Sequence, residues 1–355
     1  MKRILQTLKE TDYLQGRYLN ENRVADVNLL KNGEIFKNQL LNHWKGLVSN
    51  NNQCDIREIK ASTTGNGRLA FMQSKNFKKN YQKLLDSTNF RLGSIIQKSI
   101  LTEPAIEENE CLFQQKCSHT VQLISDKYLP AFQGLENFYS IQRERKIWWM
   151  RFSADPSRYL VEPYDMSKEL EDGHFSKDSQ SVTIKSNLFD NTVDMETITL
   201  VRLNGFMQKE SSTAIALIRS VIDMGLTTCA LLFDAGSYND RPILRLNKKL
   251  APYQCGIATL CTDVRSGDID DLCLHLKYVL KGAGLRLHEQ PLHAKSNNEI
   301  ELLLTKSDCL GIPYTIIVEN DSLKTGLLKL RNRDTSLAET IHISDLPLYL
   351  IKICK

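Results

Sequence analysis

No apolar run in these 355 residues approaches the roughly 18 needed to cross a bilayer, so no membrane span is expected. The glycine period of collagen, the long heptads of a coiled coil and the polar bias of a disordered chain are also missing. Apolar residues make up 41% and charged residues 25%, ordinary for a globular protein. Nine cysteines, an odd number at scattered spacings, form no disulfide framework, which points to a reducing compartment. No GxxxxGK[ST] phosphate loop, GxGxxG or GxSxG is present. Cys111, Cys117 and His119 lack a fourth ligand and a zinc spacing. His288, Glu289 and His293 fit neither a helical metal pair nor a triad, and read as polar surface residues. No metal and no cofactor is expected.

The net charge of +4 is unevenly spread. Residues 1–150 carry +7, residues 151–245 carry −4, and residues 246–355 carry +1. A local excess of this size fits either an anionic partner or a solvated surface. In SKNFKKNYQK, Lys75, Lys78, Lys79 and Lys83 fall at i, i+3, i+4 and i+8, on one side of a helix. They could neutralise phosphates, the alternative being a solvated face with Phe77 and Tyr81 in the core. The N-terminal MKRILQTLKE is a short basic amphipathic stretch. It suits a mitochondrial targeting segment and an ordinary first helix about equally.

The last 110 residues alternate clearly. APYQCGIATLC (251–261) reads as a buried strand. Asp268–Lys281 reads as a helix with Ile269, Leu272, Cys273, Leu276, Val279 and Leu280 on one face. Leu285–His288 is expected as a short strand and Glu299–Leu310 as a helix stopped by Gly311 and Pro313. Tyr314–Glu319 and Leu327–Arg331 are expected as strands, and Ser344 as the cap of a terminal helix. This order implies a small mixed sheet with helices on its faces. Before it, Asn137–Phe152 reads as an aromatic-rich helix, and Thr197–Phe206 and Thr228–Asp234 (TCALLFD) read as strands. Gly65, Asn66 and Gly67 mark a turn before an apolar, basic stretch, and polar loops are expected at Glu103–Glu110 and over Glu162–Gln180. The fold class is α/β in two domains, 1–245 with a largely antiparallel sheet and 246–355 with a mixed one.

The segment GLLKLRNRDTSLAETIHISDL (326–346) is the most specific in the chain. With LAPYQCGIA (250–258) and DCLGIPYTIIV (308–318), it resembles the anticodon-binding domain of class IIa aminoacyl-tRNA synthetases, glycyl-tRNA synthetase above all. Together with RERKIWWMRFSADPSRY (143–159) it is similar to the accessory-subunit family of mitochondrial DNA polymerases, synthetase relatives that act as processivity factors. The likeness is strong over the C-terminal 110 residues, ordered but patchy over 140–245, and faint before that.

The resemblance implies a degenerate synthetase-like first domain, an anticodon-binding-like second domain, and a mitochondrial setting. It implies a non-catalytic role: binding the catalytic subunit of the polymerase and helping it hold primer-template DNA. Two departures from the synthetases support that expectation. No Phe-Arg-x-Glu motif is present to hold the ATP α-phosphate, and FDAGSYNDRPILRL stands where a Gly-rich segment ending in Arg is needed. Without those cations adenylate chemistry lacks its electrostatic support. The partner surface is expected at Arg331, Arg333, Asp334 and Thr335, where tRNA lies in the synthetases. A local Arg333–Asp334 ion pair is the alternative. The segment from Ser99 to Gln142 is too short for the helical insertion through which larger members pair, which implies a monomer joining a 1:1 heterodimer. The competing reading is a glycyl-tRNA synthetase-like enzyme or tRNA-binding factor.

Overall fold

The computed structural model describes residues 1–20, 23–51, 57–62, 93–101, 113–115, 119–164, 179–202, 215–237, 241–261, 266–289 and 292–354. Lys75, Lys78, Lys79 and Lys83, Cys111 and Cys117, the turn expected at 65–67, the loop at 103–110 and most of that at 162–180 lie outside them.

The chain begins with α1 (Lys2–Glu10), which buries Ile4, Leu5 and Leu8 in the core of the first domain. A hairpin follows, β1 (Leu14–Asn20) and β2 (Arg23–Leu29), with β5 (Phe113–Gln115) parallel on β2. Helix α2 (Lys31–Asn51) packs Phe36, Leu40, Trp44 and Val48 inward. Gly33 is required at its start: a Cβ there would lie 2.0 Å from the Tyr13 carbonyl oxygen.

The main sheet of the first domain has seven strands: β3 (Arg57–Ser62), β4 (Gly93–Leu101), β6 (His119–Pro130), β7 (Tyr159–Pro163), β8 (Gln180–Leu188), β9 (Asn191–Arg202) and β10 (Ile215–Asp223). Their order is β3-β4-β6-β10-β9-β8-β7. Every pair is antiparallel except β3 with β4. Two helices pack on it, α3 (Gly134–Phe152) and α4 (Met224–Ala235). Helix α4 corrects the strand expected at Thr228–Asp234. Its residues from Thr227 to Ala235 are all buried, so TCALLFD shows no amphipathic period and looks like a buried strand. Asp223 caps it, accepting from the Leu226 N–H at 2.9 Å.

A two-residue pairing of β11 (Gly236–Ser237) and β12 (Ile243–Leu244) leads to the C-terminal sheet. Its strands are β13 (Cys255–Leu260), β14 (Leu292–Ala294), β15 (Tyr314–Glu319), β16 (Leu327–Asn332) and β17 (Ala338–His342), in the order β14-β13-β15-β16-β17. The first three are parallel and the last two antiparallel, a mixed sheet. Helices α5 (Ser266–Gly282), α6 (Asn297–Cys309), the short α7 (Ser322–Thr325) and α8 (Leu346–Cys354) complete it. Side chains alternate between two cores. Ile257, Ile316 and Val318 meet α5 and α8, whereas Ala258 and Ile317 meet Ile300 and Leu304 of α6.

Two local expectations are corrected. Leu285–His288 makes only a single bridge, Leu287 to Cys255, and the paired edge strand is Leu292–Ala294. Ser344 does not cap α8. It bonds His342 Nδ1 at 2.8 Å, and the helix starts two residues later, after Asp345.

Candidate functional site

Arg331 and Arg333 leave β16 on the face opposite Leu328 and Leu330. That face is exposed at Leu327 and Lys329, but at its far end the C-terminus of α6 covers it. The Arg331 fork closes on Asp308 with two bonds of 2.8 and 2.9 Å. Asp308 is buried and also takes Arg241 at 3.0 Å, so one carboxylate lies between two guanidinium groups. Arg333 is 3% exposed. It donates to both Asp334 oxygens, to the Gly311 carbonyl at 2.9 Å and to the Leu246 carbonyl at 3.0 Å. Gly311 sits at φ +69 to end α6, where a Cβ would meet Leu246 at 2.6 Å.

Both arginines are therefore turned inward, and the local Arg333–Asp334 pair is present. Of the four residues expected at a partner surface, Asp334 and Thr335 lie outside. Their N–H groups donate to Asn332 Oδ1 at 2.8 and 3.3 Å, which fixes the turn. Leu337, 73% exposed, follows it, and β17 is the edge strand beside it. Leu337 was not singled out in the sequence. Its signal is an apolar residue in a polar turn (RDTSLAET).

A second charged group lies in the main sheet of the first domain. Arg219 of β10 forks onto Asp126 of β6 with two bonds of 2.7 Å, both side chains fully buried. Glu196 of β9 accepts from Trp149 Nε1 at 2.8 Å and from the Ser220 hydroxyl, and lies 3.5 Å from Arg145 Nε. Arg145 also sits over the Trp44 ring at 5.7 Å. These charges tie α3 to the sheet. Sequence reading assigned them no role, although a single Arg in the apolar strand IALIRSVID is the mark of a buried partner.

The other candidates do not converge. His288 packs edge-on against Tyr253, Glu289 pairs with Lys281 at 2.8 Å, and His293 bonds Thr259 at 3.0 Å. Among the described residues no group of three or more His, Cys, Asp or Glu is placed to hold a metal ion. Burial pushes the Cys273 thiol up to about 12 and those of Cys309 and Cys354 to about 11, so these sulfurs stay protonated and weakly reactive.

Residues 254–353, the C-terminal sheet and its helices, match the anticodon binding domain family. Over 344 residues the chain is 38% identical to the mitochondrial DNA polymerase subunit gamma-2 of Drosophila melanogaster, and the alignment covers 93% of both chains. The chain belongs to the gamma-2 subunit family of mitochondrial DNA polymerase. Gamma-2 proteins of Xenopus laevis and Mus musculus are 26% and 25% identical over 235 and 236 residues. In both cases the match spans 59% of this chain and 48% of the relative. The accessory role and the mitochondrial setting expected from the sequence come with this gamma-2 membership.

Proposed function

We propose that the chain works without an active site of its own, binding the catalytic subunit of the mitochondrial polymerase and raising its hold on primer-template DNA. The observation that carries this is the 38% identity to a gamma-2 subunit across nearly all of both chains. The charges of the main sheet agree with it. Arg219 and Arg145 are committed to Asp126 and Glu196, so neither is free to oppose a triphosphate.

The partner surface in this reading is the outer side of the 332–337 turn, with Asp334, Thr335 and Leu337, continued by the edge of β17. Arg331 and Arg333 act from beneath by holding that turn in place. Domain 246–355 supplies this surface, and domain 1–245 adds DNA contacts, with Lys75, Lys78, Lys79 and Lys83 as candidates. A weak phosphate-binding surface tethered to the polymerase raises the residence of DNA through effective concentration. The free protein is a monomer and joins the catalytic subunit one to one.

The test is reconstitution with the catalytic subunit on a primed single-stranded template. The expected result is longer products per binding event and a 1:1 complex by light scattering. Unchanged product length overturns the role. Glycine-dependent ATP–pyrophosphate exchange by the isolated chain would establish the synthetase-like alternative instead.

A further inference from the structure

The segment Arg241–Leu250, between the two sheets, carries four cations, Arg241, Arg245, Lys248 and Lys249, and no acid. Arg241 is taken up by Asp308 and by the Arg333 carbonyl. Arg245 and Lys248 are exposed, and neither side chain bonds a described residue. Their backbone is pinned. The Arg245 N–H donates to the Ala235 carbonyl at 2.8 Å, the Leu246 carbonyl receives Arg333, and the Lys249 carbonyl receives Arg286 at 2.8 Å. Two cations thus project from a fixed strip.

They face two cavities that share Ala154 and Arg245. One, of about 450 Å³, lies between Ser153 and Ala154 of the first domain and Tyr314 and Asn332 of the second, with Lys248 in its wall. The other, of about 790 Å³, runs on past Arg158 to Lys2 and Arg3 at the start of α1. The acids along both are already engaged. Asp334 holds Arg333; Asp155 holds Ser157 and Arg158; Asp234 holds Arg158, the Ser153 hydroxyl and the Ala154 N–H. The field along this trough is therefore set by its cations.

We infer that the trough between the two domains binds the phosphodiester backbone of a nucleic acid, with Arg245 and Lys248 as phosphate contacts. Two adjoining cavities, open to solvent and sharing Ala154 and Arg245, suit a chain better than a compact ligand. A guanidinium fork and an ammonium point charge on a rigid strip contact phosphates without reading bases. The choice of nucleic acid over an acidic peptide rests on the role proposed above.

The test uses the full chain and a fluorescent duplex of about 24 base pairs, with anisotropy read from 50 to 200 mM NaCl. In Arg245→Gln with Lys248→Gln, affinity at the lowest salt should fall at least about tenfold. The log–log salt slope should flatten by about 1.8, about 0.9 for each phosphate no longer neutralised. The melting temperature should not move, since neither side chain has a partner to lose. Lys281→Gln with Lys295→Gln, cations that line neither cavity, should leave the slope intact. An unchanged slope in the trough variant, an equal loss in the control, or no duplex binding by the parent chain overturns the inference. So does displacement of the duplex by a polyglutamate peptide at equal charge concentration, or by inorganic pyrophosphate at micromolar levels. Failure of the polymerase role reads differently: the parent chain binds duplex with the full slope yet does not lengthen synthesis.

Discussion

The hydroxyl of Tyr13 donates 2.8 Å to the carbonyl of Leu310, 297 residues further along the chain. The Tyr13 ring is fully buried in the first domain, and Leu310 ends α6 in the second. Tyr253 returns the link, its hydroxyl 3.0 Å from Asn32 Oδ1. The two domains are thus joined by directional bonds as well as by the chain between them, which fixes the setting of the 332–337 turn relative to the first domain.

Arg331→Ala should destabilise the protein by about 3 kcal/mol or more, because it leaves the buried Asp308 with only Arg241. Arg333→Ala should also destabilise it, because the Gly311 and Leu246 carbonyls lose their buried donor. Chemical denaturation measures both. A normal unfolding midpoint for Arg331→Ala would rule out the inward pairing and return this arginine to the surface.

Leu337→Asp should leave the unfolding midpoint nearly unchanged, as exposed substitutions usually do within about 0.5 kcal/mol. It should weaken association with the catalytic subunit by about 1 to 2 kcal/mol, the usual scale for an interface anchor. Titration by surface plasmon resonance decides it. Equal affinities would move the partner surface away from this turn.

Arg219→Ala should cost about 3 to 5 kcal/mol, since Asp126 is then a buried charge without its fork. Replacing both, Arg219→Met with Asp126→Leu, should recover most of that loss. Arg219→Met alone, Asp126→Leu alone and the two together close a double-mutant cycle for the pair. If the double replacement is as unstable as the single one, the fork is not what determines stability here.

His43 gives a pH signature. Burial, with help from the nearby Lys249 and Arg286, holds its imidazole below the ordinary histidine value. The unfolded chain then binds a proton at a higher pH than the folded chain does. Stability is full above about pH 6.5 and is lost as the pH falls toward the folded value. His43→Gln should flatten unfolding free energy against pH between about 5 and 7. Identical profiles would exclude His43 as the source.

If Lys75, Lys78, Lys79 and Lys83 touch DNA, replacing all four with Ala should weaken duplex binding uniformly across sequences. The salt slope should flatten by about 0.9 for each lysine that neutralises a phosphate. A slope equal to that of the parent chain would leave them as a solvated group.

The C-terminal domain was legible because its signals are local. YTIIVE alternates between two cores, α5 shows one apolar face, and Gly311 stops α6. Helix α4 was not legible, because a helix buried on every side has no period to read. The arginines failed for a different reason. In LLKLRNRD, alternation puts Leu327, Lys329 and Arg331 on one face, and two of the three are exposed. Only the covering end of α6 buries the third, and its partner Asp308 lies 23 residues upstream. Pairings between distant segments of this kind, Arg219 with Asp126 included, leave no mark in spacing.

The position of Arg241 limits where the protein can be divided. It precedes the junction that composition suggests near residue 245, yet its guanidinium belongs to Asp308 and to the carbonyl of Arg333. A fragment beginning at Leu246 would carry a buried carboxylate with half of its countercharge and a turn with one anchor removed. A fragment beginning before Arg241 would keep both. The C-terminal half is thus a separable module only if it takes with it a residue that the sheet pattern assigns to its neighbour.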